Sequence, residues 1–231
     1  MTDPDVEARP AKPRVQLSAA AARPEPKTVR GRRNRQALLV AARGVFERDG
    51  FLGARISDMT AAANVSHGAF YSYFDTKEEI FWQVLSTVTE EMFGTSPSSA
   101  AAPSTPRTAR STNPADSIRE ANALFIESFR RNAAMIRVLE EVATYNDDFK
   151  QLRREVRHRF IDRIALSLRR HQTRGVVSAQ VDAEYAAHAL GAMMDRFCYA
   201  WFVLEEDFDE RRAVDELNRI WLTTLGIADD P

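Results

Sequence analysis

Apolar residues recur along this chain at three- and four-residue steps, the spacing of amphipathic helices, wherever there is any period at all. Ala37, Leu38, Ala41, Ala42, Val45 and Phe46 make the first stripe, which starts near Arg32 and stops at Asp49-Gly50, with Gly50 as its cap. Short helices are predicted over 57–63 and 66–74. Thr76-Lys77-Glu78-Glu79 has the form of a capping box, in which the Glu79 carboxylate reaches back to the Thr76 N–H. The helix it opens should run to Phe93 and end at Gly94. Ala121, Leu124, Phe125 and Phe129 predict a helix over 118–130, followed by a shorter one over 133–144. Phe149, Leu152, Val156, Phe160, Ile164 and Leu168 mark 149–174, closed by Gly175; helices over 182–204 and 209–225 complete the chain. No segment alternates over strand length and no Asn-Gly turn joins two apolar runs. The expected fold is all-α, a small N-terminal domain followed by a larger C-terminal helical bundle.

Two stretches lack this period. Residues 1–31 are rich in Ala, Pro, Arg and Glu and read as a disordered arm. Residues 94–117 are Ser/Ala/Pro/Thr-rich, with Pro97, Pro103, Pro106 and Pro114, and read as a low-complexity linker. The predicted units are therefore the arm, a domain over 32–93, the linker, and a domain over 118–231.

Composition removes several functions. With 231 residues, 44% hydrophobic and 28% charged, the chain resembles an ordinary globular protein long enough to close a core. Its single cysteine, Cys198, excludes an intrachain disulfide and a cysteine metal cluster, and His67, His158, His171 and His188 show no metal-ligand spacing. No metal, cofactor or catalytic residue is expected. The longest strongly apolar run, Phe197 to Leu204, is too short to cross a bilayer, and the first thirty residues lack a signal-peptide core. The expectation is a cytoplasmic protein without a membrane partner.

The net charge of −1 speaks against a nucleic-acid partner until it is resolved along the chain. Between Lys27 and Arg55 there are eight Lys or Arg against Glu47 and Asp49; from Glu205 onward there are nine acids against three arginines. The total is a cancellation between a basic block suited to phosphate and an acidic end that phosphate repels.

The segment Ile56 to Phe74 falls inside the basic half and has the grammar of a helix-turn-helix. Ile56, Met59, Ala62 and Val65 supply an apolar face; Asn64 stands where the turn needs a left-handed residue; Ser66 is a natural N-cap. Val65 and Phe70 would seat the second helix, leaving His67, Gly68, Ala69, Tyr71, Ser72 and Tyr73 outward, as base reading requires. Phe46, Gly50-Phe51, Ile56, Asp58-Met59, Val65-Ser66, Gly68, Phe70-Tyr71, Tyr73-Phe74 and Lys77-Glu78-Glu79 form an ordered set that resembles the TetR family of bacterial transcriptional regulators. The resemblance implies phosphate or groove contacts for Tyr71, Tyr73 and Lys77 and base-edge roles for His67 and Ala69, with Ser66, Gly68 and Ser72 on the same face. It also implies a homodimer on a palindromic double-stranded DNA operator. Where the family often has a phosphate-binding Thr, this chain has Ala54-Arg55, so Arg55 would substitute a charge; Asn64 replaces a common turn glycine. Arg32 and Arg33, just before the first helix, could follow the backbone or enter a minor groove.

The C-terminal half carries a candidate effector site. Phe125, Phe129, Tyr145, Phe149, Phe160, Met193, Met194 and Phe197 are either plain core or the adaptable lining of a cavity for a hydrophobic small molecule, such as a lipid or acyl-coenzyme A. The stretch from Ala183 to Leu204 is apolar on nearly every face and should be covered on both sides, by its bundle and by a second copy; Val214, Leu217, Ile220, Trp221 and Leu225 offer the second stripe of that dimer contact. Asp195-Arg196 interrupts this helix and must be paired, solvated or bound. Lys150 to Arg174 carries nine Lys or Arg against Glu155 and Asp162, a solvated face or an acidic-ligand contact. Phe197 to Phe202 and Ile220-Trp221 resemble the family's repressors of ethionamide activation, without fixing the ligand. The leading expectation is a ligand-responsive repressor. An activator, an effector-free regulator, a localising adaptor and an enzyme using the bundle cavity are the alternatives; no nucleophile–base pair supports the last.

Overall fold

The computed structural model describes residues 25–94 and 113–228; most of the predicted arm and linker lies outside them. Eight helices form among the described residues: α1 Val29–Gly53, α2 Ile56–Ala62, α3 His67–Phe70, α4 Lys77–Met92, α5 Pro114–Val142, α6 Asp147–Thr173, α7 Ala183–Phe202 and α8 Glu210–Leu225. Seven of them start on a side chain of the capping type: Thr28, Ser66, Thr76, Asn113, Asn146, Asp182 and Asp209 each accept from a backbone N–H of the first turn. Gly226 ends α8 in the left-handed conformation at φ 68°.

Three elements differ from the periodicity. Gly50 does leave the helical region, at φ 68° and ψ 178°, but the chain resumes one more turn and carries Phe51 back onto the core. The predicted helices over 118–130 and 133–144 are one continuous α5. Nothing between them breaks a helix, and Asn132 satisfies its own amide by donating to the Ser128 carbonyl at 2.9 Å. That helix also starts earlier, because Asn113 caps it and Pro114 suits its first position. The second predicted helix-turn-helix element shrinks to α3, after which Ser72, Tyr73 and Phe74 N–H groups bond Ala69 and Phe70 carbonyls in tight turns.

The helices close two apolar clusters. The first joins α1 to α4 through Leu38, Phe46, Met59, Phe70, Phe74 and Phe81, all without exposed surface. It does not end at the linker: Met135, Val138 and Val142 of α5 and Phe149 of α6 belong to it. The second cluster holds α5 to α8 together around Phe129, Ile161, Leu190, Met194, Leu217 and Trp221. Gly191 lets α6 and α7 approach closely, since a Cβ there would lie 2.7 Å from the Ile161 Cδ1. A buried amide pair, Asn122 Nδ2 donating to Asn218 Oδ1 at 2.9 Å, registers α5 against α8.

The last cluster corrects the dimer stripe read from the sequence. Leu217, Trp221 and Leu225 point into their own bundle and are buried, so they cannot face a second copy; Ile220 alone of that set is exposed, at 40%. α7 is not covered all round either: Tyr185 is 79% exposed, and His188 and Ala189 share its open face.

Candidate nucleic-acid interface

The helix-turn-helix is built by local rules. Asn64 takes φ 52° between α2 and α3, and the Val65 N–H closes the turn on the Thr60 carbonyl at 3.0 Å. The Ser66 hydroxyl then accepts from the Ala69 N–H at 3.3 Å, so its oxygen is a cap on α3. Phe70 is fully buried against Phe74, at 5.6 Å between ring centroids, and anchors α3 on the first core. What remains outward is the expected set: Ser66, His67, Gly68, Tyr71 and Ser72 are exposed and Ala69 is half-buried. The His67 and Tyr71 rings meet edge to face at 5.6 Å, which orients both on one surface. Tyr73 is half-buried and leans on the core.

Lys77, expected at a phosphate, is engaged within the protein. Its Nζ donates to the carbonyls of Phe51 at 2.7 Å and Ala54 at 3.1 Å, and lies 4.5 Å from the Phe51 ring centroid. Burial holds its ammonium below the ordinary lysine value, partly offset by Glu78. The side chain ties the end of α1, just past the Gly50 bend, to the start of α4. The capping box beside it closes as Thr76 accepting from Glu79 N–H at 3.1 Å, but Glu79 reaches one residue further back, to the Asp75 N–H at 2.6 Å.

The basic block divides into engaged and available charges. Arg43 bonds Glu47 and Glu91, Arg48 pairs with Asp49 at 2.6 Å, and Arg35 donates to Gln83 and lies over the Phe74 ring at 5.6 Å. Arg32 turns back to the Pro26 and Lys27 carbonyls at 3.2 and 3.1 Å. Lys27, Arg30, Arg33 and Arg55 are exposed and have no side-chain partner among the described residues. Lys27 and Arg30 were absent from the residues singled out by sequence, although their place in the charge count marked them.

The predicted effector residues separate into two groups. Phe125, Phe129, Phe160, Met193, Met194 and Phe197 belong to the second cluster, with Phe125 and Phe160 stacked at 4.5 Å. Phe149 does not join them: the first turn of α6 lies over α4, and its ring packs on Phe81 at 5.0 Å and Phe51 at 6.0 Å. Tyr145 is 51% exposed in the α5–α6 turn, where the cap at Asn146 turns the chain outward. Asp195-Arg196 is paired, within a network that also holds Glu140 and Arg153.

An all-helical chain presenting this turn, this outward face and this basic margin is a helix-turn-helix DNA-binding protein. Residues 38–84 match the family model for bacterial regulatory proteins of the tetR family, and residues 118–226 match that for the C-terminal domain of the transcriptional regulator EthR. The chain belongs to the TetR family of bacterial transcriptional regulators. It is similar to the HTH-type transcriptional regulator EthR of Mycobacterium tuberculosis, with 25% identity over 195 residues that span 82% of this chain and 85% of that one. Among solved structures it resembles a TetR-family regulator from Syntrophomonas wolfei, at TM-score 0.65 and 20% identity, covering 84% of this chain and 95% of the other. It also resembles NalD, the secondary repressor of the MexAB-OprM multidrug efflux pump in Pseudomonas aeruginosa, at TM-score 0.63 and 18% identity, covering 88% and 100%. None of the described helices is long and apolar enough to cross a membrane.

Proposed function

We propose that this regulator is a repressor that binds a palindromic operator as a homodimer and is released by a hydrophobic small molecule. The observation that carries the reading is the α3 surface, where Ser66, His67, Gly68, Tyr71 and Ser72 stand outward around a fully buried Phe70. On it, His67 and Ala69 address base edges, and Tyr71, Ser72, Tyr73 and the Ser66–Gly68 backbone follow phosphates. Arg55, Arg32 and Arg33, with Lys27 and Arg30, add the sequence-independent charge. Lys77 serves by holding α1 on α4, so that α3 keeps its angle. A DNA footprint next to the protein's own gene tests the reading; replacing His67 and Tyr71 by Ala should erase it.

The exposed Tyr185, His188 and Ala189 on α7 and Ile220 on α8 support a two-fold contact with a second copy. Tyr185→Asp with Ile220→Asp should convert the dimer to monomer in analytical ultracentrifugation. The effector is proposed to enter beside Phe125, Phe160, Met193 and Phe197, which are half-buried and adaptable. A thermal-shift screen of fatty acids, acyl-coenzyme A species and hydrophobic drugs would identify its class.

Coupling between the two halves has a physical route. Arg43 of α1 donates to Glu47 at 2.8 Å, to Glu91 of α4 at 3.1 Å and to Asn132 of α5 at 3.0 Å. Arg137 of α5 donates to the Glu47 carbonyl at 3.1 Å. An effector that prefers a different α5 position shifts α1 and α4, and with them the two α3 faces of the dimer. A preference of roughly 3 kcal/mol lowers operator affinity on the order of 100-fold.

A further inference from the structure

We propose that the cleft between α5, α6 and α7 is a second binding site, for the phosphate or diphosphate group of a small molecule. It is an open surface depression of about 440 Å³, lined by Glu140, Arg153, Arg154, Arg157, Asp195 and Arg196. Two of its four guanidiniums are held in place. Arg153 donates to Glu140 at 2.7 Å and to Asp195 at 3.2 Å, and Arg196 donates to the same two carboxylates at 3.0 and 3.1 Å. One oxygen of each carboxylate, Glu140 Oε1 and Asp195 Oδ2, is thus shared by the two arginines. Arg196 is further held over the Tyr199 ring, at 4.6 Å.

Arg154 and Arg157 are the remainder. Neither has a hydrogen-bond or ion-pair partner among the described residues, and both line the cleft one helical turn apart. Two like charges at that spacing repel each other, so the lining carries two uncompensated positive charges beside a rigid base. A planar guanidinium pair of this kind matches a dianion with oxygens arranged for forked hydrogen bonds, which is the chemistry of a phosphate. The site stands on α5, α6 and α7 and does not depend on how α3 meets DNA.

The test is titration calorimetry of the full-length protein with sodium pyrophosphate at constant ionic strength. The expected result is saturable binding, one site per chain, weakened at least 10-fold in the R154Q/R157Q double variant. The R32Q/R33Q variant should keep it within twofold, which separates the cleft from the basic margin of the DNA-binding face. Decanoate should neither bind there nor compete. The proposal is overturned by no binding, by equal affinity for sulfate, by decanoate competing with pyrophosphate, or by unchanged binding in R154Q/R157Q. Both substituted residues are on the surface of a cleft, and the variant should melt and bind DNA like the parent. Failure of the phosphate site therefore leaves the DNA reading standing, and the reverse.

Discussion

Lys77 shows how far residue type alone can be read. Its position in the first turn of a helix, where a cation opposes the dipole, marks it as a residue with a partner. The partner is internal: the Phe51 and Ala54 carbonyls and the Phe51 ring. Lys77→Met leaves two carbonyls without their donor and should cost about 1–2 kcal/mol of stability. It should also weaken DNA binding while leaving the salt dependence of log K unchanged. Were the ammonium on a phosphate, that slope would fall by about 1 per protomer. Cys198 and His171 are legible only in three dimensions. Burial beside Asp195 pushes the Cys198 thiol up to about 12, so it should resist alkylation at pH 8 until the chain unfolds. Burial, reinforced by Arg174, lowers the His171 value below the usual 6.5. The unfolded chain then binds the proton more readily, so stability should fall as pH drops through 6.5 and level off below the folded value. His171→Leu should flatten that part of the melting-temperature profile.

Most elements announced themselves through caps and periods, and the exceptions have identifiable causes. Ser66 and Thr76 cap the helices their positions predicted, and Thr76→Ala should cost about 1 kcal/mol in chemical unfolding. Periodicity could not tell that α5 runs unbroken through Arg131-Asn132, because the polar interruption there is satisfied sideways, by Ser128 within the helix and by Arg43 from α1. The same limit explains Phe149. One apolar stripe along α6 serves two cores in succession, the α4 surface at its start and the α7 surface beyond, and a one-dimensional pattern does not record the change of neighbour. The junction at Arg43 belongs to this scale. Arg43→Ala should loosen α1 and α4 from α5, seen as faster amide exchange along α4, and should weaken operator binding without touching the α3 surface. Unchanged exchange would remove Arg43 from the coupling route.

At the scale of the whole molecule, the near-zero net charge conceals an arrangement. The basic block around α1 is partly spent internally, by Arg35, Arg43 and Arg48, which leaves Lys27, Arg30, Arg33 and Arg55 exposed. The acids from Glu205 to Glu216 precede and enter α8, in the opposite half of the chain. Deleting residues 1–31 removes Lys27 and Arg30 and should therefore flatten the salt dependence of DNA binding by roughly two ion pairs per protomer. The proposed function rests on sequence-specific recognition through α3. Fluorescence anisotropy with the duplex from next to the protein's own gene, against a scrambled duplex of equal length and at equal salt, tests it most directly. Binding to the first duplex should be at least about 1,000-fold tighter, reduced to the level of the second in His67→Ala/Tyr71→Ala while the dimer persists. Equal affinity for both duplexes, or specificity that survives those two substitutions, would contradict it.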